Sequence, residues 1–266
     1  MDHPFARKLQ RANGEPPNDV TMRLYLGRHS DRSIERDNIA LGNACYTFQM
    51  EKFGTEMYDR KYINKDESSP RGAVTYFVDK YLGQSKNCLD LGSGAGRHSR
   101  YIAEKGIKVT AIDLSEIGVE KTKSALKNYP DSTVLVGDIH RLPFDSLVCN
   151  RVLDYNDDES LESAFREIER VVKTGGLVLI TVRSLSQQQK QNEVLIDENT
   201  NHGKSFRIKD SQEVQHYFTE PEIRDLAARH NFEVREIRED RHVNSENESK
   251  AEWQAILEKK EEIAAK

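Results

Sequence analysis

Apolar residues recur along much of the chain at spacings that separate helices from strands. Between residues 73 and 82 they fall at helical intervals, and this segment ends at Gly83. Ser115 and the capping-box sequence Thr219-Glu220-Pro221-Glu222 mark the starts of two later helices. The pattern predicts helices over residues 73–82, 97–105, 116–128, 161–172 and 220–230.

Short apolar runs between these helices predict strands. Gly175-Gly176 closes one helix and opens the most strand-like segment of the chain. Strands that alternate with helices indicate a mainly parallel sheet covered on both faces, so the predicted fold class is α/β, doubly wound, with seven strands. The predicted strands are 88–91, 107–112, 134–136, 146–149, 177–182, 232–237 and 251–257.

Two segments fall outside this alternation. Residues 1–57 are mixed in charge and predict an N-terminal extension, partly helical around 34–53, that could act as a lid. The polar stretch 184–218 is too long for an ordinary connection, which predicts either a lid or a disordered insertion. The predicted domain is therefore 58–258, followed by a solvated tail over 259–266.

Composition narrows the class of protein. Of the 266 residues, 36% are hydrophobic and 32% charged, and the formal net charge of -5 gives no electrostatic reason to expect a nucleic-acid partner. No apolar run approaches the roughly 18 residues that cross a bilayer, so no membrane partner is expected. The cysteines Cys45, Cys88 and Cys149 have no metal-ligand spacing, which favours a reducing cytoplasm and no metal site. The oligomeric state stays open.

A glycine-rich turn carries the candidate chemistry. Leu89-Asp90-Leu91-Gly92-Ser93-Gly94-Ala95-Gly96 joins the first predicted strand to its helix, where glycines let the backbone approach a ligand closely. A dinucleotide fingerprint needs its third glycine one position later, at Arg97. The carboxylate of Asp90 would repel a pyrophosphate, whereas it suits an ammonium group and a sulfonium. The turn therefore predicts a site for a cationic amino acid joined to a nucleoside.

Two more acids follow the next two predicted strands. Asp113 lies seventeen residues after Gly96, where a carboxylate can accept both hydroxyls of a ribose. Asp138 follows the third strand, where it can accept from the exocyclic amine of adenine, and Ile139 offers an apolar face and a backbone N–H. Each position alone has an ordinary alternative, a helix cap for Asp113 and a turn for Asp138.

With these motifs in place, the chain resembles the class I, Rossmann-like S-adenosylmethionine-dependent methyltransferases over about 58–257. Gly96-Arg97-His98-Ser99 and His216-Tyr217-Phe218-Thr219 look like the small-molecule and tellurite-resistance-type members. The wider resemblance rests on the segments 90–96, 111–115, 137–139 with 142–144, and 168–176.

The resemblance implies roles for the matching positions, with S-adenosyl-L-methionine as cofactor and S-adenosyl-L-homocysteine as product. Asp90 would hold the methionine ammonium, and Asp113 would hold the ribose. Two departures from the family are Ser93, where cysteine is common, and a short link from Phe144 to the fourth strand. The implied cofactor-binding residues are Asp90, Gly92, Ser93, Gly94, Gly96, Asp113, Leu114, Asp138, Ile139 and Asn150.

The expected function is methyl transfer to a small-molecule acceptor through positioning and exclusion of water, with no catalytic residue assigned. The alternatives are a methyltransferase acting on RNA, DNA or protein, a non-catalytic S-adenosylmethionine-binding protein, and a nicotinamide dehydrogenase. Arg97 and His98 either touch the ligand or lie on a surface helix turn. Tyr62 either folds over the cofactor or packs in the core. His216 and His230 are expected to be solvated or capping residues, as is His140.

Overall fold

The computed structural model describes the greater part of the predicted domain. The predicted helical segment 34–53 and residues 138–143 lie outside the described residues. No helix within the described residues is long and apolar enough to span a membrane. The described residues are Asp59, Tyr62, 69–137, 144–156, 158–187, 193–196, 203–209, 214–243 and 248–261.

Helices and strands alternate through the first half of the described chain, as the hydrophobic pattern predicted. The α-helices are α1 (Gly72–Tyr81), α2 (Arg97–Glu104), α3 (Glu116–Ala125), α4 (Asp158–Val171) and α5 (Glu220–Arg229). The strands are β1 (Asn87–Leu91), β2 (Lys108–Asp113), β3 (Thr133–Val136), β4 (Phe144–Asn150), β5 (Val172–Arg183), β6 (Glu193–Leu195), β7 (Lys204–Ile208), β8 (Val214–Tyr217), β9 (Phe232–Val243) and β10 (Ser249–Lys259).

Seven strands form one sheet in the order β3-β2-β1-β4-β5-β10-β9. β1 to β5 pair in parallel, and β10 runs antiparallel to both β5 and β9. This arrangement confirms the predicted mainly parallel, seven-stranded sheet. The strand order reverses between β1 and β4, and in such sheets ligands bind beyond the carboxyl ends of the strands at that point.

Two apolar clusters cover the two faces of this sheet. Successive side chains of β1 belong to different clusters: Cys88 packs with Phe77 of α1 and Ile102 of α2, whereas Leu89 packs with Phe165 of α4. Because neighbouring side chains of a strand point to opposite faces, burial of both shows that helices cover the two sides. The carboxyl edge of the sheet is thereby held rigidly from both faces.

The glycine pair after α4 has a different place from the one predicted. The helix ends at Val171 and β5 begins at Val172, so Gly175-Gly176 falls inside the strand. Val172 pairs with Phe144, and the next pair is Leu177 with Ser146, so the intervening residues form an irregularity in β5. Gly175 has a φ of 73°, which a residue with a side chain rarely adopts. The glycines mark a bulge and not the start of the strand.

The last two strands are longer than their apolar segments. β9 continues to Val243 and β10 begins at Ser249, so the loop predicted over 239–250 is shorter than expected. β10 also includes Lys259, so the predicted tail 259–266 begins too early. These strand residues were missed because their partners are polar cross-strand neighbours, such as Arg235, which donates to Glu258 at 2.5 Å. Residues 262–266 lie outside the described residues.

The described part of 184–218 is a small sheet of three antiparallel strands, β6, β7 and β8. A bridge between Ser184 and Phe218 holds its two ends together. His216 is buried there between Ser205 and Glu222, at 2.8 Å from each. Of the two expectations for this stretch, a disordered insertion is wrong for these residues. The expectation of a solvated or capping His216 is also wrong.

Candidate functional site

The glycine-rich turn leaves β1 at the carboxyl edge of the sheet and is fastened there to the neighbouring strand. The backbone N–H groups of Gly92 and Ser93 both donate to the carbonyl of Ile112, at 2.8 and 2.9 Å. Gly96 closes the turn, with its N–H on the carbonyl of Ser93 at 3.0 Å. These bonds bring the turn beside the end of β2. We call the region around residues 90–96 and 113–115 the glycine-turn cleft.

Asp113 ties the glycine turn to the start of the next helix. Its Oδ2 accepts the backbone N–H of Gly94 at 2.7 Å, and its Oδ1 accepts that of Ser115 at 2.8 Å. The side chain is buried, with 6% of the residue exposed. Asp113 therefore shapes the cleft as well as offering it a negative charge.

Asp90 is fully buried one strand away and is only half satisfied. The hydroxyl of Ser99 in α2 donates to its Oδ2 at 2.5 Å, whereas Oδ1 has no hydrogen-bond partner among the described residues. Burial raises the pKa of Asp90 to about 6, and the negative charge of Asp113 acts in the same direction. A buried acceptor with an unused oxygen favours a cationic donor from a ligand.

Two residues that precede the regular fold cover the glycine turn. Tyr62 is buried, and a side chain added at Gly94 would meet its hydroxyl at 2.9 Å. Asp59 accepts the hydroxyl of Ser115 at 2.6 Å and the backbone N–H of Ile117 at 3.4 Å, at the beginning of α3. The packing option predicted for Tyr62 is confirmed by its burial, and its folding over the cofactor stays a prediction. Sequence reasoning missed Asp59, since no motif marks it.

Of the remaining predicted site residues, two lie at the carboxyl edge of the sheet and two lie outside the described residues. Leu114 is buried directly after Asp113. Asn150 ends β4, where its side-chain oxygen accepts the hydroxyl of Thr181 at 2.9 Å. Asp138 and Ile139 lie outside the described residues, although the preceding Gly137 donates its N–H to the carbonyl of Asp113 at 3.1 Å.

The first residues of α2 do not form a surface turn. His98 is 3% exposed and accepts from the guanidinium of Arg97 at 3.2 Å. Burial lowers the pKa of His98 to about 3, and the charges of Arg97 and Arg71 add to this effect, so the imidazole is neutral at ordinary pH. The surface option predicted for His98 is wrong. Ser99, the hydroxyl on Asp90, is the other residue here that sequence reasoning missed.

Comparison with known families joins this geometry to a protein class. Residues 89–180, which begin in β1 and end in β5, match the family model described as a methyltransferase domain. Over these residues the chain is similar to the methyltransferase-domain family. This confirms the family resemblance drawn from the motifs, and the matched segment contains the glycine turn, Asp113 and Asn150. The narrower resemblance to tellurite-resistance-type members stays a prediction.

Curated relatives and solved structures agree with this assignment. The chain is 36% identical over 105 residues to malonyl-[acyl-carrier protein] O-methyltransferase of Salmonella typhimurium, covering 37% of this chain and 39% of that protein. It is 24% identical over 135 residues to carboxy-S-adenosyl-L-methionine synthase of Vibrio parahaemolyticus, covering 47% of this chain and 55% of that protein. The chain thus spans about half, or less, of the length of these curated relatives.

The fold of the methyltransferase domain is shared with a solved enzyme. The 1,6-didemethyltoxoflavin-N1-methyltransferase of Burkholderia thailandensis is similar with a TM-score of 0.60 at 18% identity, over 87% of this chain and 94% of that one. At this identity the likeness establishes the Rossmann-like fold alone.

Proposed function

We propose that this protein binds S-adenosyl-L-methionine in the glycine-turn cleft and transfers its methyl group to a small-molecule acceptor, releasing S-adenosyl-L-homocysteine. The observation that carries the proposal is the buried Oδ1 of Asp90 beside the turn, which has no hydrogen-bond partner in the described part of the chain. A ligand with an ammonium group and a sulfonium would supply the positive charge that this oxygen lacks. The match of residues 89–180 to a methyltransferase domain supports the same conclusion.

The cleft residues fit this cofactor in charge and in shape. Asp90 would accept the ammonium, and the backbone of Gly92, Ser93, Gly94 and Gly96 would line the methionine part. Asp113, with Leu114 beside it, would hold the ribose hydroxyls. The same proposal assigns the adenine to Asp138 and Ile139 and the acceptor side to Asn150.

The chain's own contribution to the reaction is to bind, orient and exclude water. When bound, the cofactor supplies a methyl group that its positive sulfur already activates. Tyr62 lies on the turn at Gly94, and Asp59 anchors the same chain region on α3, so water is kept from this part of the cleft. Fixed geometry and exclusion of water supply much of the rate in transfers of this kind. The prediction that residues 1–57 and 184–218 cover the acceptor stays a prediction.

A small-molecule acceptor is supported by one solved enzyme of the same fold and by the charge of the chain. The Burkholderia thailandensis enzyme was solved with both 1,6-didemethyltoxoflavin and S-adenosylhomocysteine bound, which shows that this fold can hold such a pair. The net charge of -5 adds no attraction for nucleic acid.

Calorimetric titration with S-adenosylhomocysteine tests the proposal. The full chain should bind it, and Asp113→Ala should raise the dissociation constant by about ten- to a hundredfold, because charge-assisted hydrogen bonds contribute roughly 1.5–3 kcal/mol. Asp145→Ala is the matched control. Asp145 also accepts two backbone N–H groups, from Lys86 at 2.7 Å and Asn87 at 3.2 Å, but at the opposite edge of the sheet.

The outcomes separate the alternatives. If the wild-type chain does not bind S-adenosylhomocysteine, the proposed function is overturned. If Asp145→Ala weakens binding as much as Asp113→Ala does, the loss reflects the fold and Asp113 leaves the site. A non-catalytic binding protein would bind the product normally, yet release none of it when S-adenosylmethionine is incubated with any acceptor.

A further inference from the structure

A second polar feature lies at the same edge of the sheet, beyond β4, β5 and β10. It is a cavity of about 340 Å³ whose lining includes Arg71, Arg151, Arg183, Lys250 and Glu252. We call it the arginine cavity. Arg151 directly follows β4, Arg183 is the last residue of β5, and Glu252 pairs with Arg183 across β10 and β5. The cavity is therefore built at the carboxyl ends of β4 and β5 and the amino end of the antiparallel β10, on the same edge of the sheet as the glycine-turn cleft.

The two sites are direct neighbours. A side chain added at Gly92 would collide with Cγ2 of Val152, so Val152 lies against the glycine turn. Arg151, the residue before it, lines the cavity. The charge of Arg71 also acts on His98 in α2, the helix that follows the turn. A molecule in the cavity would thus lie beside a cofactor held at the turn.

The arginines are held in place by two buried carboxylates. Glu252 accepts from Nη1 of Arg71 at 2.7 Å and from Nη1 of Arg151 at 3.5 Å. Asp154, which is fully buried, accepts from Nε of Arg151 at 2.5 Å and from the backbone N–H of Arg183 at 2.7 Å. Three guanidinium groups against two carboxylates leave an excess of positive charge. Lys250 adds a cation that is paired with Glu248 at 2.7 Å.

The guanidinium of Arg183 has a donor to spare. Its Nη1 is buried and lies 3.3 Å from Oδ2 of Asp154, but makes no hydrogen bond among the described residues. The rings of Tyr155 and Tyr217 flank the group, with centroids 5.4 and 6.0 Å from its central carbon. The ion pair with Asp154 and the two cation–π contacts therefore set its orientation, while Nη1 makes no hydrogen bond among the described residues.

The backbone at Arg151 is also unusual. Its φ is 61°, in the left-handed region that residues with side chains rarely occupy. The N–H of Arg151 donates to the carbonyl of Thr181 at 2.9 Å, which holds this conformation. Such strain, of roughly 1–3 kcal/mol, persists where the surroundings fix it, and it is concentrated at functional sites. Here it turns the chain at the point that separates the cavity from the glycine turn.

We propose that the arginine cavity binds an oxyanion, a carboxylate or a phosphate, of the methyl acceptor, so that the acceptor is an anionic small molecule. This inference rests on the proposed methyl transfer, because it takes the neighbour of the cavity to be the cofactor. Guanidinium groups present N–H donors in a planar fork that matches both kinds of oxyanion. Glu252 and Asp154 act as positioning residues, since they orient the arginines.

The test measures binding of two simple anions, inorganic phosphate and succinate, by calorimetry at constant ionic strength set with chloride. Each titration is run with the full chain, with and without S-adenosylhomocysteine. The wild type should bind at least one of the anions. Arg71→Gln should weaken that binding about tenfold, which is the size of one charge-assisted contact, without changing the dissociation constant for S-adenosylhomocysteine. The anion bound more tightly identifies the chemistry of the acceptor.

Arg235→Gln is the matched control. Arg235 is also half exposed and bound to a glutamate of β10, Glu258, but it lies at the far end of β9. It should leave binding of both anions unchanged. The inference is overturned if neither anion binds, or if the two variants weaken binding equally; intact binding of S-adenosylhomocysteine would then leave the proposed function standing. Binding of an anion without binding of S-adenosylhomocysteine would overturn the proposed function and the acceptor role together.

Discussion

The glycine-turn cleft and the arginine cavity lie side by side and contain buried aspartates with opposite electrostatics. Asp90 in the cleft is buried and makes no hydrogen bond to a cationic side chain among the described residues, and burial raises its pKa to about 6. Asp154 behind the cavity is equally buried, yet the charges of Arg151 and Arg183 overcome the effect of burial and lower its pKa. One acid is compensated within the fold, and the other lacks its counterion until a ligand supplies it.

This difference shows which polar groups stabilise the fold and which are kept for a ligand. A buried charge that is paired becomes costly only when its partner is removed. A buried charge that is unpaired already carries a cost in the empty protein, which binding can recover. The contrast therefore predicts opposite responses to the same chemical change in the two aspartates.

Asp154→Asn should give the largest loss of stability. The amide keeps the shape of the side chain but removes the charge that two guanidinium groups face, so the free energy of unfolding should fall by about 3–5 kcal/mol. Asp90→Asn is the matched change in the cleft, and at a pH of about 8 it should leave stability unchanged or raised, because an uncompensated charge is removed. Urea unfolding of both variants measures the two effects. Equal losses would remove the distinction between the two sites.

The two regions also differ in how far the sequence predicts them. The cleft is contiguous: Asp90, Gly92 and Gly96 lie within seven residues, and Asp113 follows one strand later, so spacing and strand ends suffice to place them. The bonds of Asp113 to backbone N–H groups, the hydroxyl of Ser99 on Asp90 and the contact of Asp59 with α3 were beyond local pattern, because they depend on how separate segments pack.

The arginine cavity could not be predicted from the sequence. Arg71 and Glu252 are 181 residues apart, and no local spacing joins them. The polar ends of β9 and β10, which bring the cavity-lining Lys250 to this edge, were interpreted as a loop because hydropathy does not reveal cross-strand ion pairs. Tertiary pairing, and not a motif, brings the arginines together.

Gly96→Ala would test how tightly the contiguous site is built. Gly96 has a φ of 79°, and an added Cβ would lie 2.7 Å from Cα of Thr122, a backbone atom of α3 that cannot move aside alone. The left-handed conformation costs roughly 1–2 kcal/mol and overpacking roughly 1–3 kcal/mol, so unfolding should become easier by about 2–5 kcal/mol. Thermal or urea unfolding measures the change.

Gly106→Ala separates the two causes. Gly106 has a φ of 78°, nearly the same backbone, but nothing lies within 4 Å of an added Cβ. It should therefore show the conformational cost alone, about 1–2 kcal/mol. If both variants lose the same stability, the approach of α3 to the glycine turn is not tight, and the cleft is more adaptable than its packing indicates.

The smallest predicted effect is a pH dependence of cofactor binding that only the cleft should show. Since the pKa of Asp90 is about 6 in the empty chain, its carboxylate is protonated progressively as the pH falls below that value. A protonated Asp90 cannot compensate an ammonium group, so S-adenosylhomocysteine should bind about tenfold more weakly at a pH of about 5 than at about 8. Calorimetry across this range measures the change. The Asp90→Asn variant should bind S-adenosylhomocysteine weakly at every pH, with a dissociation constant that does not change with pH.

The empty protein should respond to the same titration in the opposite direction. The pKa of Asp90 is raised from 3.8 to about 6 on folding, so the folded chain holds this proton more tightly than the unfolded chain does. Its contribution to the free energy of unfolding therefore falls as the pH rises from about 4 to about 6. A ligand that brings a positive charge to Oδ1 lowers the pKa of Asp90 again. Such a ligand should therefore reduce the loss of unfolding free energy between these pH values. If the stability of the bound and the empty protein depends on pH in the same way, the ligand does not pair with Asp90. If binding to Asp90→Asn still weakens as the pH falls, another group carries the charge that the ligand meets.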